Sequence, residues 1–186
     1  MDFFKKARYR LFIKNILQLV VMPLLSLFFF AEIIRLLFSQ EKNVTYLMIL
    51  PFMCIVFLII FINTLRHINN EYNELLRQAK LLGDIESVGE MLAQINEVKR
   101  VKELVKFNEK LLFYSGFQSE RIVIPSKITE ISTTITTYKG VHYYVHVLYQ
   151  YEKSIVIEAY TKADAQSLCE ELKRTLAPHL LTADQA

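Results

Sequence analysis

The sequence predicts an α+β membrane protein: a two-span transmembrane helical hairpin, then a cytoplasmic antiparallel β-meander closed by a C-terminal helix. Three observations carry this reading. No charged residue occurs from Asn15 to Ala31, and none again from Asn43 to Leu65. From Arg66 onward charges return every few residues. Within that later part the spacing of apolar residues turns from helical to alternating and back to helical. A chain of 186 residues with a formal net charge of +3 holds one ordinary domain plus extras. Its uneven composition assigns the apolar third to a bilayer and the remainder to water.

A crossing helix needs about 20 mostly apolar residues to cover a ~30 Å hydrocarbon layer. Residues 43–65 satisfy this and reach about 34 Å at ~1.5 Å per residue. Residues 15–31 are short alone. They extend to residue 38 because Glu32 and Arg35 can pair across one helical turn and reach toward headgroups. The expected spans are therefore about 15–38 and 43–65, joined by the polar turn Ser39–Asn43. A buried soluble hairpin rarely runs so far without a charge. A cleaved signal peptide is not expected, since the apolar run exceeds the usual length and "FFFAEII" offers no small-x-small site. Asp2 stands where myristoylation requires Gly.

Orientation follows from the basic residues. Lys5, Lys6, Arg8, Arg10 and Lys14 make residues 1–14 a basic tail. Arg66, Arg77 and Lys80 follow the second span, whereas the turn and its flank hold only Arg35 and Lys42. Both termini are thus expected in the cytoplasm of a multi-pass protein of the cell membrane. Pro23 and Pro51 are tolerable inside such helices, and Gln18, Ser26 and Cys54 suit interhelical hydrogen bonds. Two helices enclose no pore, so transport is not expected of the chain alone.

Residues 66–83 prolong the second span as a stalk, with Ile68, Tyr72, Leu75, Leu76 and Ala79 at helical spacing. Gly83 is placed to stop it, and Asp84 to cap a following helix, "DIESVGEMLAQINEVKR". Next come the β-prone runs "KLLFYSGF" and "RIVIP". "KITEISTTITTY", "VHYYVHVLYQY" and "KSIVIEAY" follow with period-two alternation. Turns at Lys139-Gly140 and Glu152-Lys153 make consecutive antiparallel strands. In the middle strand Val141, Tyr143, Val145, Val147 and Tyr149 share one face; His142, Tyr144, His146 and Gln150 share the other. Thr161, with Asp164 three residues on, then opens an amphipathic helix whose stripe is Ala165, Leu168, Cys169, Leu172 and Leu176. Pro178 ends it, and residues 179–186 are expected as a tail. Such a helix covers one face or one end of the sheet.

The runs "FNEKLLFYSGF", "RIVIPSKITEI" and "YYVHVLYQYEKSIVIEA" and the helix "ADAQSLCEELKRTL" resemble a bacterial pleckstrin-homology-like (PH-like) domain. The likeness covers about residues 84–178. The chain is also similar to uncharacterised small membrane proteins that carry such a domain behind a two-helix anchor. The resemblance implies antiparallel strands closed by one C-terminal helix, seven strands in the full fold. Five are legible; the others are expected within Thr129–Tyr138 or around residues 99–117. Another α+β sandwich is the alternative.

No catalytic, cofactor or metal site is expected. The chain has four glycines and no phosphate-binding loop, and neither His-Glu-x-x-His nor Cys-x-x-Cys occurs. Cys54 and Cys169 fall in a span and on a covered helix face. His142 and His146, four apart on a strand, have Cα atoms about 13 Å apart at ~3.3 Å per residue, too far to share a metal ion unaided. The small net charge argues against nucleic acid. Two sets of residues remain. Lys99, Arg100, Lys102, Lys106 and Lys110 suit either a solvated connector or contact with anionic headgroups, at about 1 kcal/mol per residue. Tyr138, Tyr144, His142 and His146 suit a partner surface. The expected role is non-enzymatic: a membrane-anchored interaction module for a partner protein. The alternatives are an anionic-lipid sensor using residues 99–110 and a subunit of a larger membrane complex.

Overall fold

The computed structural model describes residues 2–38, 44–116, 119–150, 153–178 and 180. In chain order the elements are α1 (Asp2–Lys14), α2 (Ile16–Phe38), α3 (Val44–Lys80), α4 (Ile85–Gln94), β1 (Leu104–Asn108), β2 (Leu111–Ser115), β3 (Glu120–Val123), a 3-10 turn (Pro125–Lys127), β4 (Ile128–Thr136), β5 (His142–Tyr149), β6 (Lys153–Ala159) and α5 (Lys162–Leu176). They form two compact units, residues 8–72 and residues 1–7 with 73–186, so α1 and α3 contribute to both.

In the first of these units α2 and α3 are long and apolar enough to cross a membrane. No described residue of α2 is buried, and Leu17 is 72% exposed. A soluble core helix hides such side chains; a row of them left uncovered is a surface for an apolar partner. The polar residues singled out in α2 and α3, Gln18, Ser26 and Cys54, have partners on the facing helix. Ser26 Oγ lies 3.2 Å from Cys54 Sγ, and Thr64 donates to Gln18 Oε1 at 3.1 Å. Phe29 stacks on Phe57 at 5.6 Å. Glu32 and Arg35 pair at 3.3 Å. Pro23 and Pro51 lie inside their helices without ending them. The segment expected as a basic tail is helical: Arg8 of α1 sits over the rings of Phe12 and Tyr72 at 5.9 and 5.4 Å. The expected turn Ser39–Asn43 lies outside the described residues.

In the other unit two antiparallel sheets, ordered β1-β2-β3 and β4-β5-β6, enclose a core with α5. Val105, Leu112 and Val123 of the first sheet meet Val145, Val147, Ile155 and Ile157 of the second; Leu168, Leu172 and Leu176 of α5 complete the core. The first sheet is buried on both sides. Leu111, Phe113 and Ile122, one residue out of phase with the core set, are buried too, and Phe3 of α1 meets Phe113 edge-on at 5.0 Å. The caps are as the sequence predicts. The Asp84 carboxylate accepts from the backbone N–H of Glu86 and Ser87, and Thr161 Oγ1 accepts from Asp164 N–H at 3.1 Å. α5 stops at Leu176, before Pro178. The Lys139-Gly140 turn has positive φ at both residues, 54° and 134°, which Gly140 adopts without steric cost. Residues 151–152 of the next turn, and all but Leu180 of the expected tail, lie outside the described residues.

One expectation needs correction. The helix expected to reach Arg100 ends at Gln94. Ile95 is already extended, and Val98 N–H donates to Val105 O at 2.9 Å; a strand partner outbids the next helical turn. Six strands are described, one beyond the five legible in the sequence. The additional one, β1, lies inside the 99–117 stretch where a further strand was expected.

Candidate interaction face

The second sheet has a covered and an uncovered face. On β5, Val145, Val147 and Tyr149 are buried in the core, so alternation turns His142, Tyr144 and His146 to the other side. Register brings Thr136, Thr134 and Ser132 of β4 beside them, and Glu158 and Val156 of β6 beside Tyr144 and His146. None of these residues is buried. The His142 and Tyr144 rings stack at 6.1 Å, and Tyr144 meets His146 at 6.4 Å. Three of the four expected partner-surface residues therefore form one aromatic stripe along the central strand. The fourth, Tyr138, stands 77% exposed in the β4–β5 connection, with Lys139 Nζ 5.4 Å from its ring centre.

At one end of the stripe a polar network fixes its geometry. Lys102 Nζ donates to Glu158 Oε1 at 2.7 Å, and His142 Nδ1 lies 2.6 Å from the same oxygen. The Lys102 hydrogen bond, and then that of His142, holds the Glu158 carboxyl below the usual carboxylate range. Glu103 accepts the Glu158 backbone N–H at 2.9 Å, but burial pushes its carboxyl the other way, upward. Tyr114 reaches across from β2 to donate to Val156 O at 3.1 Å. Burial, with the Glu103 charge adding to it, pushes that phenol up to about 12. Period-two spacing reveals the stripe. Glu158, Glu103 and Tyr114 went unnoticed because their contacts depend on strand register and on residues far off in sequence.

The basic cluster does not form one patch. Arg100 pairs with Glu171 and donates to Ser167 Oγ at 3.2 Å. Lys102 is engaged with Glu158, and Lys106, in β1, donates to Leu92 O at 3.0 Å, at the C-terminal end of α4. Lys99 and Lys110 are exposed. A cleft of about 510 Å³ lies beside Lys99 and Arg100, lined also by Glu97, Glu171 and Phe107, so acids as well as bases line it. No group of three or more metal-ligating side chains occurs among the described residues. No protein-family model, no curated protein and no solved structure matches the chain.

Proposed function

We propose that the chain is a non-catalytic, integral membrane protein whose PH-like domain docks a partner protein on the uncovered face of the second sheet. The observation that carries this reading is the stripe of His142, Tyr144 and His146, three half-buried rings aligned on a central strand with hydroxyl-bearing neighbours, on the face away from the core. Aromatic residues that keep a polar edge are the side chains interfaces favour, and strands on either side hold these without a large ordering cost. On this reading α2 and α3 insert as a hairpin, and the excess of basic residues at its open end keeps both termini and the domain in the cytoplasm. Consumption of Arg100, Lys102 and Lys106 within the fold favours the protein reading over anionic lipid.

The test places a photo-activated crosslinking residue at Tyr144, His146 or Lys162 of the full-length chain in its native membrane. One and the same protein adduct from Tyr144 and His146, lost with Tyr138→Asp and absent from Lys162 on α5, is the expected outcome. Equal labelling from all three positions overturns the reading. So does labelling of phospholipid alone.

A further inference from the structure

Edge strands present unpaired backbone groups to which another strand can add. Three of the four sheet edges described here use those groups. At β3, Gln78 Oε1 accepts Ile122 N–H at 2.9 Å. Along β1, Val98 N–H donates to Val105 O, and Glu97 bridges Lys106. At β6, Lys102 N–H donates to Glu158 O at 2.9 Å and Tyr160 N–H to Arg100 O at 3.3 Å, while Glu103 takes the Glu158 N–H.

The fourth edge is β4. Glu158 spends both its backbone groups outward, so its neighbour Ile157 carries the ladder bonds to Val145. Tyr144 and His146 then turn theirs toward Thr134 and Ser132. Alternation leaves the N–H and C=O of Ile131, Thr133 and Ile135 on the open side of β4. Cys169 Sγ, 3.8 Å from Ile131 O, attends to the first. Thr133 and Ile135 have no backbone partner beyond the strand ladder among the described residues. A register shift between Ile128 and Glu130 and the α5 thiol on Ile131 O guard only the first half of the strand. The strand ITEISTTIT has no Pro, Lys or Arg and only Glu130 for a charge. Ile135, on the core side of the sheet, is 49% exposed.

We propose that this edge pairs with β4 of a second copy of the chain, antiparallel about a two-fold axis at Thr134. In that register Thr133 of each copy faces Ile135 of the other, so the outward backbone groups meet as hydrogen-bonded pairs. Thr134 faces its own counterpart and Ser132 faces Thr136, which lines one side with hydroxyl pairs; Thr–Ile pairs line the other. Ile131 O keeps its thiol, and Glu130 meets no like charge. An isologous interface needs a strand that suits its own reverse, and Ser132-Thr133-Thr134-Ile135-Thr136 does. That self-complementarity selects a second copy over an unrelated peptide. The pairing joins two second sheets into one and does not depend on the docking proposed for their uncovered face.

The experiment uses the full-length chain in detergent micelles and in its native membrane. Residues opposite each other at a non-hydrogen-bonded site have Cα atoms about 4.5 Å apart, within the roughly 4.4–6.8 Å a disulfide needs. T134C is expected to form a covalent dimer on mild oxidation. The wild-type chain, with only Cys54 and Cys169, is expected not to, and neither is S154C on the outer face of β6. Adding T133K to T134C abolishes the dimer while circular dichroism and the melting midpoint hold. Adding Ile135→Lys, at a side chain already half exposed, gives the same loss and serves if T133K unfolds the chain. A T134C chain that stays monomeric overturns the proposal, as does a dimer that survives both lysines. So does a T134C chain that crosslinks in the native membrane to a different protein instead of to itself.

Discussion

Tyr114 ties the two sheets together through one hydroxyl, and its ionisation reads out that tie. Its folded value of about 12 lies above the ~10 of a free phenol. The unfolded chain therefore releases this proton first. The stability the phenol contributes is present below about pH 10 and is lost as the pH rises toward about 12. Absorbance at 295 nm should show one of the ten tyrosines titrating late, and Tyr114→Phe should remove that step. The same substitution should lower stability near neutrality by about 1 kcal/mol, since Val156 O loses its donor, and flatten the alkaline decline. At this scale the sequence was legible where side chains share a strand: period two alone groups His142, Tyr144 and His146. It was not legible where partners are remote. Lys102 and Arg100 read as members of a basic run, yet their acids lie 56 and 71 residues away.

Among the elements, α3 has a second task beyond its apolar length. Its buried Gln78 closes the β3 edge by accepting Ile122 N–H. Gln78→Ala should leave that buried donor unpaired and destabilise the domain by about 1–3 kcal/mol in denaturant melts; Gln78→Glu keeps the acceptor but sets a second carboxylate against Glu74, to which the Gln78 amide donates at 3.0 Å, and should restore none of the loss at neutral pH. At the head of α5, Thr161→Ala should cost about 1 kcal/mol by deleting the cap on Asp164 N–H. Caps, the apolar stripe of α5 and the β4–β6 meander were readable because each is set by neighbours in sequence. The end of α4 and the bounds of β1 were not. Residues 95–108 carry helical spacing and scattered charge, and only the pairing of Val98 with Val105 and of β1 with β2 makes them extended.

For the whole molecule, α2 and α3 are long and apolar enough to cross a membrane, and insertion is the proposal to test. The full-length chain should remain in the membrane pellet after alkaline carbonate extraction, and release into the supernatant would refute insertion. Leu27→Lys, a charge near the middle of α2, should weaken integration by about 2.5–3.5 kcal/mol. The division into an apolar part and a β-rich part was plain from charge spacing; the pairing of two sheets over one core was not, because no local pattern records which strands stack. That core has a further consequence in time. Leu168, Leu172 and Leu176 come from α5, which follows every described strand, so the second sheet lacks its helix until the ribosome has passed residue 176. At roughly 5–20 residues per second, Leu176 is joined to the chain roughly 5–20 s after Lys80. During that interval α2 and α3 are complete, while Val145, Val147, Ile155 and Ile157 emerge with the first sheet to meet but without the α5 leucines that complete their core. Until then the second sheet is open to mispairing, and β4, with Glu130 its one charge, is the strand of that sheet that waits longest beside an unfinished core.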